Sequence, residues 1–538
     1  MNTTVLLCSE LENLGSGLNL EEVRRWLKET DLSVRVQILP ELCHRPGEIK
    51  NAIPLGGAIR IVMGLCSRDY AELELHAHLR RAGLDPMGVE TVNLGAHCAL
   101  VHPRHQGTEK AKILLASAVA RARAFRGSRP EHLKPQFAWV QKVSRRSLFS
   151  LPPLHYEAVP SINGERCIAG TGCDLCIQIC PCGALEQGRG RVWLRKANCE
   201  GCGLCVTACP RGAIEFPIGS LIQLEAQVSA LLNPSLGTLQ PRGILFLCSR
   251  SAQVLEEQVS KGLYYPAGWL PVQLPCLGMV SAAWPLQCLT LGMGGVCLLS
   301  CPPDCAFGQR ETIEGRAAYC REFLCLLGDS PDKVRILSPV NGVVLAGVLG
   351  NLPEGKAISR KGLRPQGFFS SLSEGARALL DLAEDSGAPV RLSLAHPYSP
   401  FGLVDFRTDL CTGCGVCATV CPSGALGLER DMDGVSLTFD ATLCTGCGLC
   451  VSRCPEARDG VLQTRRITDL YRLSLGRVTL YQDRDARCEA CGASIATKGM
   501  LKRISGLLGA ELETTSALIT RYCPSCRGEM AVLKEGRG

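Results

Sequence analysis

Apolar residues in this chain come in two rhythms. Short apolar runs such as TVLLC and AIRIVMGLC near the N-terminus, and GILFLC, LPVQLPC and GVCLLSCPPDC further on, have the length and content of buried strands. LEEVRRWLKE and EKAKILLASAVARARAF place apolar residues at helical spacing and predict amphipathic helices. Strands alternating with helices predict α/β domains at 1–125 and 240–328. Residues 274–303 carry no charge and are long enough to cross a bilayer, but Pro285, Gln287, Thr290 and several glycines interrupt them. They divide into strand, helix and strand, so no membrane span is expected. NGVVLAGVLGNLP and GARALLDLAEDSGAPVRLSLAHP suggest a small α/β piece at 329–400 that bridges the two halves.

At 538 residues the chain exceeds one hydrophobic core. Its 33 cysteines would suit a secreted disulfide scaffold only behind a signal peptide. MNTTVLLCSELENLG has no basic leader and no long apolar core, and reads as a strand. A reducing, cytoplasmic setting with metal-binding thiolates is the expectation. The net charge of +7 is mild. The basic run Arg121, Arg123, Arg126, Arg129, Lys134, Lys142, Arg145 and Arg146 has few aromatics among it, so it reads as a solvated helix end and a linker at 126–158 rather than a nucleic-acid surface. Arg145–Arg146 is internal and is followed by no apolar run of spanning length.

The thiols carry the chemistry. CTGCGVCATVCP at 411–422 has the spacing C-x2-C-x2-C-x3-C-P, repeated as CEGCGLCVTACP at 199–210 and CTGCGLCVSRCP at 444–455. A fourth copy, CIAGTGCDLCIQICP at 167–181, has three extra residues after its first cysteine. Two tandem pairs result, within 159–218 and 401–465. Three thiolates of one loop suit three corners of a [4Fe–4S] cluster, and the fourth cysteine suits the neighbouring cluster. The competing assignment is structural zinc or redox C-x2-C pairs, which want two pairs at a corner rather than runs of four ending in proline.

The regular motifs resemble bacterial two-cluster ferredoxins. The resemblance implies four clusters, each with three ligands from one motif and one from its partner. Cys411, Cys414, Cys417 and Cys454 would hold one, and Cys444, Cys447, Cys450 and Cys421 its neighbour. Cys199, Cys202, Cys205 and Cys180 would hold the third, and Cys167, Cys173, Cys176 and Cys209 the fourth. Cys182 is spare.

Around CS at 66–67, RRAGLDP, CALVHP and TEKAK, residues 1–125 resemble the N-terminal domain of the heterodisulfide reductase A subunit. That implies a docking role near a cluster or flavin. Cys8, Cys43, Cys66 and Cys98 fall at strand ends or loops and offer a further [4Fe–4S] site, or else are four buried apolar cysteines. Residues 240–328 resemble the delta subunit of methyl-viologen-reducing hydrogenase, which implies a [2Fe–2S] cluster on Cys248, Cys276, Cys301 and Cys305, with Ser251 where that family has a cysteine. Cys288, Cys297, Cys320 and Cys325 fall at core spacing. In 480–538, the pairs Cys488–Cys491 and Cys523–Cys526 suit tetrahedral zinc, or iron, with a helix in TKGMLKRISGLLG between them. No G-x-G-x-x-G follows a strand, so no bound flavin or NAD is expected.

The fold class expected is therefore multidomain α/β and α+β: two ferredoxin-like modules, two small α/β domains and a C-terminal zinc-knuckle-like segment. The function expected is an iron–sulfur electron-transfer subunit without bond chemistry of its own. Its partners would be flavin- or metal-containing oxidoreductase subunits of the heterodisulfide-reductase, hydrogenase or formate-dehydrogenase kind. A redox-sensing regulator and a stand-alone disulfide reductase are the alternatives. The first would need a recognition helix or dense basic face, and neither is visible.

Overall fold

The computed structural model describes residues 2–44, 49–52, 60–67, 79, 83–129, 132–137, 154–233, 235–301, 305, 309–337, 342–353, 355, 367–431, 433–508 and 512–535. Lys142, Arg145 and Arg146, and Arg80–Ala82 of RRAGLDP, lie outside the described residues. The chain divides into two compact units, Met1–Cys167 with Asp174–Ala388, and Ile168–Cys173 with Pro389–Gly538.

The first unit opens with four parallel strands, β1 (Thr3–Cys8), β2 (Val34–Leu39), β3 (Arg60–Leu65) and β4 (Val89–Asn93), in the order β2-β1-β3-β4. β1 is buried along its whole length, as a central parallel strand covered on both faces must be. Each parallel link needs a crossover, and helix Leu20–Thr30 supplies the first. Asn19 caps it by accepting from the Glu22 N–H at 3.1 Å.

Helix Arg104–Ala124 departs from the amphipathic expectation, because it is buried nearly all round. It lies between the first sheet and helix Leu221–Leu232, so both faces are covered. Its charges are consequently paired. Lys112 meets Glu22 and Glu109, and Arg121 Nε sits 3.2 Å from Glu90. Arg121 also donates to Gln227 Oε1 and to the Gln273 carbonyl, each at 2.8 Å. Arg123 donates to Thr3 Oγ1 and pairs with Asp31. These two arginines thus correct the reading of a solvated helix end.

After it come β5 (Leu133–Phe137) paired with β6 (Leu154–Ala158), inside the stretch expected to be a linker. The first pair of cysteine motifs is framed by β7 (Ser161–Ile162) against β10 (Ile214–Glu215) and by the hairpin β8 (Leu185–Gly188) to β9 (Arg191–Leu194).

A second all-parallel sheet follows: β11 (Gly243–Cys248), β12 (Trp269–Leu274), β13 (Gly295–Leu299) and β14 (Val334–Leu337), ordered β12-β11-β13-β14. The uncharged stretch runs from the end of β12 through helix Ala283–Thr290 into β13. Among the described residues no helix is long and apolar enough to cross a membrane. Trp269 is fully buried, and its Nε1 donates to the Leu349 carbonyl at 2.9 Å. Leu345 and Leu349 join the same core, so part of the 329–400 stretch completes this domain. Cys288, Cys297 and Cys320 are buried, but Cys325 is exposed. It lies five residues after Cys320 on helix Arg310–Leu326, about 140° around the axis, which turns it off the buried face.

The second unit holds β15 (Ser393–Ala395), β16 (Gly402–Phe406), β17 (Leu426–Arg430), β18 (Gly434–Asp440), β19 (Leu462–Asp469), β20 (Arg477–Arg487) and β21 (Ser494–Thr497). They form two antiparallel sheets, β15-β19-β16 and β17-β18-β20-β21. The long β20 ties the C-terminal segment to the sheet of the second motif pair and delivers Cys488 at its end. Helix Lys498–Leu508 fills the spacer between the two C-x2-C pairs.

Candidate functional site

Parallel strands all end at one edge, and the connecting loops gather there. Cys8 closes β1, Cys66 follows β3, and Cys43 lies just beyond β2. Their sulfurs lie within 4.8 Å of one another, with Cys66 Sγ 3.1 Å from Cys43 and 3.6 Å from Cys8. The Cys66 N–H donates to Cys43 Sγ at 3.2 Å. Thiol donors from Cys43 and Cys66 hold Cys8 far below the usual thiol range. Cys98, expected as the fourth ligand, is not in this group. It is fully buried in the turn Gly95–Ala99, where burial pushes its thiol up to about 12.

The second parallel sheet repeats the placement. Cys248 closes β11, Cys276 follows β12 and Cys301 follows β13. Cys248 and Cys301 sulfurs are 3.4 Å apart. A hydrogen bond from Cys301 lowers the Cys248 thiol to about 5, and one from Cys301 also lowers Cys276. Ser251 accepts from the Cys248 N–H at 2.9 Å, lies in the first turn of helix Ser249–Ser260, and sits 3.4 Å from the Cys248 sulfur. Cys305 lines the same cleft as Cys248, Cys276 and Cys301, with a volume of about 730 Å³; Cys199 and Cys202 of the first motif pair also line it. No local spacing announces that meeting of separate segments.

In the second unit, Cys411, Cys414, Cys417 and Cys454 line one small pocket closed by Pro455. The first three come from one motif and the last from the other. The Gly413 N–H donates to Cys411 Sγ at 3.3 Å. Cys444 and Cys450 are pushed up to about 12, chiefly by burial and secondarily by the neighbouring thiols of their group. In the first unit, Cys180, Cys199, Cys202 and Cys205 line a pocket of the same kind, with the spare Cys182 on its wall. Burial raises Cys202 to about 11. Cys180 and Cys209 each accept a backbone N–H at 3.3 Å, from Ala184 and Ala213. The division of the chain falls inside the remaining set: Cys167, Cys176 and Cys209 belong to the first unit and Cys173 to the second.

At the C-terminus the sulfurs of Cys488, Cys491, Cys523 and Cys526 lie within 4.8 Å of one another. Backbone N–H donors, that of Cys523 first, lower Cys488 to about 6. A hydrogen bond with Cys491 raises Cys526 to about 12.

These surroundings fit metal. A buried thiol resists ionisation unless a cation stands beside it. Small pockets lined by four thiols, with N–H groups aimed at sulfur, answer to a [4Fe–4S] cluster, which supplies one-electron redox chemistry. A compact four-sulfur corner, two of its members buried, answers equally to zinc.

Three family matches fall on this chain. The 4Fe-4S dicluster domain matches residues 404–457, the 4Fe-4S binding domain residues 193–215, and the delta subunit of methyl-viologen-reducing hydrogenase residues 244–345. Among curated relatives, the iron-sulfur A subunit of CoB–CoM heterodisulfide reductase from Methanocaldococcus jannaschii is 33% identical over 123 residues, covering 22% of this chain and 19% of the relative. Its counterpart from Methanopyrus kandleri is 32% identical over 123 residues, 22% of this chain and 18% of the relative. The A subunit of the H(2)/formate:CoB-CoM heterodisulfide,ferredoxin reductase from Methanococcus maripaludis is 32% identical, covering 22% of this chain and 19% of the relative. The chain thus spans about a fifth of the length of these relatives. Regions like ferredoxins, like the hydrogenase delta subunit and like the heterodisulfide reductase A subunit are all present in it.

Proposed function

We propose that this chain is an iron–sulfur electron-transfer subunit. The observation that carries the proposal is the pocket lined by Cys411, Cys414, Cys417 and Cys454, in which two separate motifs contribute to one small site. On this reading Cys444, Cys447, Cys450 and Cys421 hold a second [4Fe–4S] cluster. Cys199, Cys202, Cys205 and Cys180 hold a third, and Cys167, Cys173, Cys176 and Cys209 a fourth. Cys248, Cys276, Cys301 and Cys305 hold a [2Fe–2S] cluster, Cys8, Cys43 and Cys66 carry a further cluster, and Cys488, Cys491, Cys523 and Cys526 hold zinc.

The protein's residues fix positions and exclude water; electrons enter and leave one at a time, and no substrate bond is broken in this chain. Hydride or hydrogen chemistry belongs to a partner with its own flavin or metal, in a complex of the heterodisulfide-reductase, hydrogenase or formate-dehydrogenase kind. The names of the relatives and the hydrogenase-delta-like region support that class of partner.

Anaerobic purification followed by iron, sulfide and zinc analysis tests the proposal. The expected content is about 18 iron atoms for four [4Fe–4S] and one [2Fe–2S], or about 22 with the first-sheet site filled as a further [4Fe–4S]. A colourless chain carrying zinc alone contradicts it.

A further inference from the structure

Gly203 follows Cys202 in its cysteine motif and has φ +70°. Glycines with φ +76° occupy the same place in the other two regular motifs, Gly415 and Gly448. A Cβ on Gly415 would meet Leu428, and one on Gly448 would approach Thr464, both neighbours within their own unit's ferredoxin sheets. Gly203 differs. A Cβ there would lie 2.0 Å from the Cγ of Met279, in the second parallel-sheet domain. The approach is reciprocal, since a Cβ on Gly278 would lie 2.8 Å from the Cys202 carbonyl oxygen.

The loop that meets the motif is the one that carries Cys276. Its Sγ accepts from the Gly278 N–H at 3.4 Å. Arg316, on helix Arg310–Leu326, donates to the Gly278 carbonyl at 2.9 Å and to the Val280 carbonyl at 2.6 Å, and so fixes the loop's shape. Behind the contact, Cys199, Cys202, Cys276 and Cys301 open onto one cleft. Backbone thus meets backbone at Gly278, where a Cβ would strike the Cys202 carbonyl, and the Met279 side chain packs where a Cβ on Gly203 would stand; each of the two loops carries a cysteine.

We infer that this contact is an internal electron junction, at which Cys202–Gly203 and Cys276–Met279 bring the first ferredoxin-like module against the second parallel-sheet domain. The inference rests on the cluster assignments proposed above. With clusters bound, Cys180, Cys199, Cys202 and Cys205 would hold one carrier and Cys248, Cys276, Cys301 and Cys305 the other, and a single electron would pass between them in either direction. No bond forms or breaks and no proton is required. Tunnelling falls steeply with separation, and the missing Cβ at Gly278 is what lets the Cys276 loop come against the Cys202 backbone. Covalent attachment replaces diffusional encounter between the two carriers.

The test is electron paramagnetic resonance of the full-length, anaerobically purified chain during stepwise chemical reduction. The [2Fe–2S] signal is expected to broaden and relax faster once the neighbouring cluster is reduced. Cys202→Ala should abolish that broadening, while Cys414→Ala, in the second unit, should leave it. Gly278→Val should weaken it; should that variant not fold or lose iron, the two cysteine variants and the wild-type line shape still decide. A [2Fe–2S] signal that stays unbroadened in the fully reduced chain overturns the junction and leaves the electron-transfer reading standing. Broadening that survives Cys202→Ala but vanishes in Cys414→Ala also overturns it. A chain without iron overturns the electron-transfer reading itself, and the junction with it.

Discussion

The first and second parallel sheets are two solutions to one design. Both have four strands, in the same order: the second strand, the first, the third, the fourth. Both place a cysteine at or just beyond the C-terminal end of each of the first three strands: Cys8, Cys43 and Cys66 in one, Cys248, Cys276 and Cys301 in the other. The paired sulfurs are similarly close, 3.6 Å for Cys8 and Cys66 and 3.4 Å for Cys248 and Cys301. The topology is the cause, because the central strand has its two partners on either side and all three ends point the same way. The sheets differ in the fourth thiol. Cys305 stays on the cleft that the other three line, whereas Cys98 is buried outside its group. The sheet therefore brings three thiols together by topology, and the place of the fourth depends on the loop.

The largest effects should come from the strand-end thiols. Cys66→Ala and Cys301→Ala are each expected to remove the whole cluster of their own sheet and leave the other, as read by iron analysis and spectroscopy. Loss of both clusters from either variant would show that the two sheets do not hold their sites independently. Trp269→Ala, which empties the core beneath the second sheet, should cost about 3–5 kcal/mol in chemical denaturation. A cost below about 1 kcal/mol would show that this core does not support the strand ends.

Cys98→Ala and Cys305→Ala sharpen the difference between the sheets. Cys305→Ala should destabilise the [2Fe–2S] site. Cys98→Ala should leave the iron count unchanged and cost roughly 1 kcal/mol from lost packing. Iron lost from the Cys98 variant would restore that thiol as a ligand.

The smallest effect concerns the ion pair between helix Arg104–Ala124 and the end of helix Leu20–Thr30. Arg123 beside Asp31 holds its carboxyl down at about 2, below the ordinary range near 4. A depressed carboxylate adds stability above its unfolded pKa and loses it as the pH falls through the folded one. The wild-type advantage over Asp31→Asn should be full above about pH 4 and shrink toward pH 2. The pair is partly exposed, so solvent screening limits it to about 1 kcal/mol. An advantage that grows on acidification would reverse the sign.

Much of this arrangement is readable along the chain. The strand–helix–strand division of 274–303 follows from its polar and proline interruptions, and the tandem motifs point to the cysteines that share the pockets of Cys411 and Cys199 because each loop carries its own spacing. What local spacing lacks is the identity of distant neighbours. Arg121 and Arg123 look like solvated charge in a basic run, yet Arg121 is covered by a second helix that supplies a partner, and Arg123 is held by Thr3 at the start of β1 and by Asp31 at the end of helix Leu20–Thr30. Cys98 and Cys325 share the apolar look of Cys297, and only the orientation of each element separates ligand, core and surface. Gly203 and Gly278 are ordinary loop glycines until the two loops are seen together.

The central claim is that this chain stores and passes single electrons. Anaerobic reductive titration of the purified full-length chain, with absorbance read after each addition of a strong one-electron reductant, tests it most directly. About five electrons per chain are expected from four [4Fe–4S] and one [2Fe–2S], and about six if the first sheet is also loaded. A chain that takes up none, with its absorbance unchanged, contradicts the account.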